Sequence, residues 1–173
     1  MKRKRIAQEL GGGDRRSIGK ADDVAAQVQR NRNRFKELIR CLWSDDPIVR
    51  MRAADAVEKV SRRYPDILHP FKVELLGLLS EATQQELRWH LAQMIPRLEL
   101  SERERHLAAE AFRNYLNDRS SIVKTLAIQA LADIARDDAS LRPLVKALVE
   151  THMRSVTAAM RARCRKLMKQ LDA

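Results

Sequence analysis

The chain has 173 residues, 45% of them hydrophobic and 33% charged, with a net charge of +11. That is enough for one domain with a continuous core, while two Trp, two Tyr, three Phe, five Gly and five Pro leave little material for β-strands and their turns. No apolar stretch approaches the roughly 18 residues of a membrane span, and the basic opening leads into no signal-peptide core, so no membrane partner and a cytoplasmic setting are expected.

Residues 1 to 20 carry seven Lys or Arg against Glu9 and Asp14, with Gly11-Gly12-Gly13 in the middle and only Ile6, Leu10 and Ile18 as large apolar groups. This composition predicts a flexible basic arm preceding a repeat domain at 21–173. The glycines do not read as a phosphate loop, since no strand precedes them and no Gly-Lys-Ser/Thr follows.

From Ala21 onward the periodicity is helical. Val24, Ala25 and Val28 belong either to an extension of the next helix or to a separate capping helix. Phe35, Leu38, Ile39 and Leu42 then share one face at i, i+3, i+4 and i+7. Asp46-Pro47 predicts an N-cap with proline in the first turn, where its missing N–H costs nothing. Pro65 separates the first repeat from a second, in which Leu75, Leu76 and Leu79 form the inner face of the first helix. Thr83 with Glu86, and Ser101 with Glu104, have capping-box spacing. Pro96 should kink or end the helix that contains it. Ala109, Phe112 and Leu116 mark the third pair, and Leu144, Leu148 and Val149 the fourth, with Ser120 and Ser140 as further N-cap candidates.

The second helices of these pairs superimpose on one template. An apolar anchor is followed at +4, +7, +8 and +11 by apolar residues, and the anchors Val49, Leu87, Val123 and Met160 are spaced by 38, 36 and 37 residues. These positions fall within about 100° of a helical wheel, the width of one buried face. A period of this length predicts stacked helical hairpins, with repeats at roughly 21–64, 65–100, 101–138 and 139–173. Cys164 holds a template position, and it and Cys41 read as small buried apolar groups rather than a disulfide.

The run Asp45-Asp46-Pro47-Ile48-Val49-Arg50-Met51-Arg52-Ala53-Ala54-Asp55-Ala56-Val57 resembles the HEAT-repeat signature, a turn Asp and Pro leading into Val-Arg and an Ala-rich second helix. Ser121 to Leu131 is a fainter copy with Lys124 in place of Arg, and the other repeats match in apolar spacing. The ensemble, over about 34–171, is similar to small HEAT-type proteins of bacteria. The resemblance implies an all-α, right-handed α-solenoid of the armadillo type, about four HEAT-like hairpins long, and usually a non-enzymatic binding surface without a cofactor.

Arg50, Arg88, Lys124 and Arg161 each follow an anchor and lie on the flank of the buried face. Their aliphatic stems can cover apolar surface while their heads reach the adjacent hairpin, forming a structural ladder; ligand binding is the other reading. In this fold the outward side of the second helices lines the concave face. Positions +2, +6 and +9 place there Met51, Asp55 and Glu58, then Trp89, Gln93 and Pro96, then Thr125, Gln129 and Ala132, then Ala162, Lys166 and Lys169. Met51, Asp55, Trp89, Gln93, Thr125 and Gln129 are therefore candidate partner-binding residues. Trp89 reads either as a contact residue or as packing near Pro96, and Trp43 as packing.

Residues 154–170 carry six basic residues and no acid, whereas 21–153 are nearly neutral, so the charge sits at the ends. Arg163, Arg165, Lys166 and Lys169 are candidate contacts for phosphate or for an acidic partner. A protein partner is the leading expectation and nonspecific nucleic-acid binding the alternative. HEAT-like DNA glycosylases are a remote one, because the residue one turn after Trp89 is Gln93 rather than an acid. No metal is expected, since His69, His90, His106 and His152 lie in separate segments with no i, i+4 pair. The oligomeric state is open.

Overall fold

The computed structural model describes residues 5–14, 17–154 and 157–172. Its α-helices are α1 (Ile6–Leu10), α2 (Ala21–Arg30), α3 (Phe35–Arg40), α4 (Pro47–Arg63), α5 (Lys72–Glu81), α6 (Gln85–Met94), α7 (Glu102–Tyr115), α8 (Ser121–Arg136), α9 (Arg142–Met153) and α10 (Ala158–Asp172). Short 3-10 turns join several of them, and no strand occurs among the described residues.

The inner layer is a continuous stack in which α2 packs on α4, α4 on α6, α6 on α8 and α8 on α10. Every template residue is buried except Met168, which is half-buried. A strip of this width cannot be covered by one partner helix, so each hairpin completes its neighbour's core. The outer layer holds α3, α5, α7 and α9, with Phe35, Leu75, Phe112 and Val145 directed inward. Tyr115 is buried as well and donates its hydroxyl to the Leu79 carbonyl of the preceding repeat at 2.6 Å.

Boundaries follow local chemistry at several points. Asp46 accepts from the Ile48 N–H at 2.8 Å with Pro47 in the first turn of α4. Ser101 and Glu104 form the reciprocal capping box of α7, and Ser120 caps α8. Pro96 ends α6 at Met94 and leaves a 3-10 turn over Ile95–Arg97, because proline supplies no N–H to continue the ladder. Two expected caps are not formed. The Gln84 amide spans repeats, donating to the Pro47 carbonyl and accepting from Arg50, and α6 starts after it instead of from Thr83. Ser140 bonds to Asp138, and α9 starts later, at Arg142.

The largest departure from the sequence reading concerns the first twenty residues. Ile6 and Leu10 are fully buried on α1, which packs against α4, and α2 is a separate helix rather than an extension of α3. Arg52, only 3% exposed, explains how the following loop is held. Its guanidinium donates to the carbonyls of Leu10 (2.7 Å), Gly12 (2.6 Å), Asp14 (2.9 Å) and Ser17 (3.1 Å). Gly12 and Gly13 take positive φ to make the turn, and a Cβ on Gly19 would lie 2.6 Å from Arg52. A polar network around buried Arg34 joins in: Arg34 bonds Gln27 and Glu37, Gln27 bonds Glu9, and Glu37 accepts from the Ile6 N–H. Composition could not reveal this, since Arg52 lies 35 or more residues away from the carbonyls it collects. Lys2, Arg3, Lys4, Arg15 and Arg16, which supply most of the arm's charge, lie outside the described residues.

Candidate concave-face site

The inner stack exposes one face of α4, α6, α8 and α10. Positions +2 and +6 open onto it: Met51 and Asp55, Trp89 and Gln93, Thr125 and Gln129 are half-buried, and Ala162 and Lys166 are exposed. Position +9 differs from the wheel's expectation in the first and third repeats, where Glu58 is 2% exposed and Ala132 fully buried. A wheel describes one helix alone, and here the next helix closes over that position. Arg97 bonds the Glu58 carboxylate at 2.5 Å and its carbonyl at 3.1 Å, and Arg62 bonds the same carboxylate at 2.7 Å. Burial alone would raise the Glu58 pKa, and the two arginines outweigh it, so the group stays ionised.

At the N-terminal end of this face is a recess of about 680 Å³. Met51 and Asp55 contribute from α4, Glu86, Trp89 and His90 from α6, and Asp14, Ser17 and Ile18 from the N-terminal loop. The walls are largely apolar, with the Trp89 ring set edge-on to His90 at a centroid distance of 5.8 Å. Burial pushes the His90 imidazole down to about 4, so it is neutral at physiological pH. Lys59 reaches Asp55 at 2.7 Å. The recess thus holds the carboxylates of Asp14, Asp55 and Glu86 together with the Arg52 guanidinium, which keeps its charge because its hydrogen-bond acceptors are neutral carbonyls. Carboxylates do therefore flank Trp89, but from an adjacent helix turn and adjacent segments rather than from position 93. Gln93 donates to the Trp89 carbonyl.

Toward the C-terminal end the face is polar. Gln129 donates to Asp133 at 2.9 Å and accepts from Arg163 at 2.7 Å, while the Thr125 hydroxyl donates to the Ser121 carbonyl. Arg165, Lys166 and Lys169 are exposed on α10. Trp43 is 44% exposed at the turn before α4 instead of packed.

The residues after the anchors behave unequally. Arg50 donates to Gln84 at 2.9 Å and to the Ser44 carbonyl at 2.6 Å; Arg88 donates to the Ala82 carbonyl at 2.7 Å and pairs with Asp118 of the next repeat at 2.5 Å. Lys124 acts on Asp118 only through its charge, and Arg161 is exposed on the last helix. A second ladder, not found in the sequence, runs along the opposite edge. Lys72 pairs with Glu104 at 2.9 Å and Arg105 with Asp138 at 3.0 Å, each also bonding a carbonyl in the turn before α7. Its only sequence signal is a basic residue about one repeat before an acid, which is too common to single out. His106 bonds Ser140 of the next repeat and His152 the Leu148 carbonyl one turn before it, and Cys41 and Cys164 are free and buried, the Cys41 thiol pushed up to about 11 by burial. Among the described residues no group of three or more His, Cys, Asp or Glu could hold a metal, and no helix is long and apolar enough to cross a membrane.

No protein-family model and no curated protein matches this sequence. Solved structures do match in fold. One is similar to this chain at 15% identity with a TM-score of 0.64, covering 96% of this chain and 80% of its own: a designed armadillo repeat protein. Another, at 14% identity with a TM-score of 0.65, covers 95% and 80%: a computationally designed armadillo repeat protein for modular peptide recognition. With the repeat spacing, the buried template and the continuous inner stack, this likeness establishes the fold: the chain is an all-α repeat solenoid of the armadillo/HEAT type.

Proposed function

We propose that the protein is a non-enzymatic binding module that receives an extended segment of a protein partner along its concave face. The observation that carries this reading is the alignment of half-buried Met51 and Asp55, Trp89 and Gln93, Thr125 and Gln129 on successive helices, with a recess lined by Met51, Asp55 and Trp89 at its N-terminal end. Half-buried side chains of this kind combine apolar contact with hydrogen-bonding groups that can meet a peptide backbone. The second designed protein is described as made for modular peptide recognition, which supports peptide binding by a solenoid of this fold. The face runs from acidic at Asp55 to basic at Lys166, so a partner segment with a cationic end near Trp89 and an acidic end near α10 fits best.

The test is display selection of random peptides on the full chain, followed by anisotropy titration. Trp89→Ala should weaken the selected peptides by about tenfold or more, the size of a hot-spot loss. Equal affinity for both proteins would remove the recess from the binding site.

Exposed Arg165, Lys166 and Lys169 support a second reading, nonspecific contact with nucleic acid. Labelled single- and double-stranded oligonucleotides at two salt concentrations separate it from the first. Replacing those three residues and Arg163 with Gln should flatten the salt dependence of any binding, because each phosphate contact releases condensed counterions.

A further inference from the structure

The outer layer is less evenly closed than the inner one. α5 packs against α7, whereas α9 takes its main contacts from α8 and α10. Two hollows of about 320 and 350 Å³ lie between α7 and α9, and they share Glu110 and Arg113, so they form one groove along the convex side.

Its apolar floor comes from a displacement of the fourth outer helix relative to the sequence expectation. Val145 and Val149 of α9 are fully buried, while Leu144, expected inward, is 36% exposed and Leu148 is half-buried. These two leucines, one turn apart, line the groove from α9, and Leu107, 54% exposed, lines it from α7. Arg103 and Arg113 stand along the α7 wall. Both are exposed, and neither pairs with a carboxylate among the described residues. Glu110 is the acid between them.

We propose that this groove docks a short amphipathic helix of an acidic protein partner. The partner's apolar stripe would lie on Leu107, Leu144 and Leu148, with its Asp and Glu residues against Arg103 and Arg113. The form of the groove selects a helix, since a gap between two helices accepts the ridge of a third, and the lining from Arg103 to Asn117 spans about 20 Å, some four helical turns. The charge selects acid, because two unneutralised guanidinium groups flank the apolar strip. This surface lies on the outer layer and is independent of the concave-face reading.

The experiment selects, on the full chain, from a displayed library of helices that fix a leucine stripe and randomise its flanks, with counter-selection against the folded Leu144→Ser variant. Enrichment of Asp and Glu at the flanks is expected. The winning peptides should lose about tenfold or more in affinity for Leu144→Ser. They should lose as much for Arg103→Glu with Arg113→Glu, and changing the peptide's acids to Lys should restore binding to that charge-reversed pair. The Arg165→Gln and Lys169→Gln variant, altered only on α10, should bind as the parent does. Flanks enriched in Lys or Arg, no binder that depends on Leu144, or equal losses on the α10 variant would overturn the proposal. So would self-association of the chain abolished by Leu144→Ser, which would assign the groove to a second copy.

Discussion

The two ends of the solenoid are closed by opposite means. At the N-terminal end, α1 and α2 cover the first full repeat, with Ile6 and Leu10 in its core and Arg52 holding the intervening loop by its carbonyls. At the C-terminal end, α10 is the last described helix, with Cys164, Leu167 and Leu171 turned inward and Arg161, Arg165 and Lys169 exposed. Terminal repeats need a polar outer side, and it is reached here once by added chain and once by a change of side chains on a repeat helix. The two solutions differ in what they depend on. The first needs long-range contacts, whereas the second needs only that one stripe of a helix be charged.

The contrast predicts strongly unequal sensitivity. Deleting residues 1–20 should have the largest effect, because it removes Ile6 and Leu10 from the core and takes away the loop that Arg52 holds. Thermal unfolding should shift downward by many degrees or lose its cooperativity, and an unchanged transition would show that the cap is dispensable. Leu10→Ala should cost about 2–5 kcal/mol in denaturant titration, the usual range for emptying a buried leucine site. Arg52→Ala should cost on the order of 3 kcal/mol, since several carbonyls lose their donor at once, and Arg52→Lys should recover only part of it because one ammonium cannot span four acceptors.

A pH experiment probes the ladder between the two ends. Hydrogen bonds from Ser140 and the Arg105 guanidinium hold the Asp138 carboxyl down at about 2, below its ordinary value near 4. A depressed carboxyl adds stability at neutral pH that is lost as pH falls through the folded-state value. Stability should therefore drop between about pH 4 and pH 2, with a shallower drop in Asp138→Asn. The smallest effect belongs to the C-terminal end. Arg165→Gln with Lys169→Gln should change stability by less than about 0.5 kcal/mol, because both groups are exposed; a larger loss would mean that α10 is held by its charges.

Legibility varied along the chain for the same reason. The inner helices could be read because their burial repeats with the helical period, and Val49, Leu87, Val123 and Met160 all prove buried. The α9 face was legible only in part: Val149 is buried as expected, but Leu144, Val145, Leu148 and Val149 offer two apolar stripes, and periodicity does not say which one a neighbouring helix covers. In the concave site, Met51, Asp55 and Trp89 were placed on the open side from spacing, whereas Asp14, Ser17, Ile18 and His90 join them only through the folding of the N-terminal loop and the approach of α6 to α4.

The amino-acid sequence by itself determined the repeat, the helices and the strip each one buries, because these depend on interactions within a few turns of chain. Tertiary structure decided what Arg52 grips, which of two stripes on α9 faces outward, and where a recess opens beside Trp89. Each of these depends on groups brought together across tens of residues, and local periodicity carries no record of such meetings.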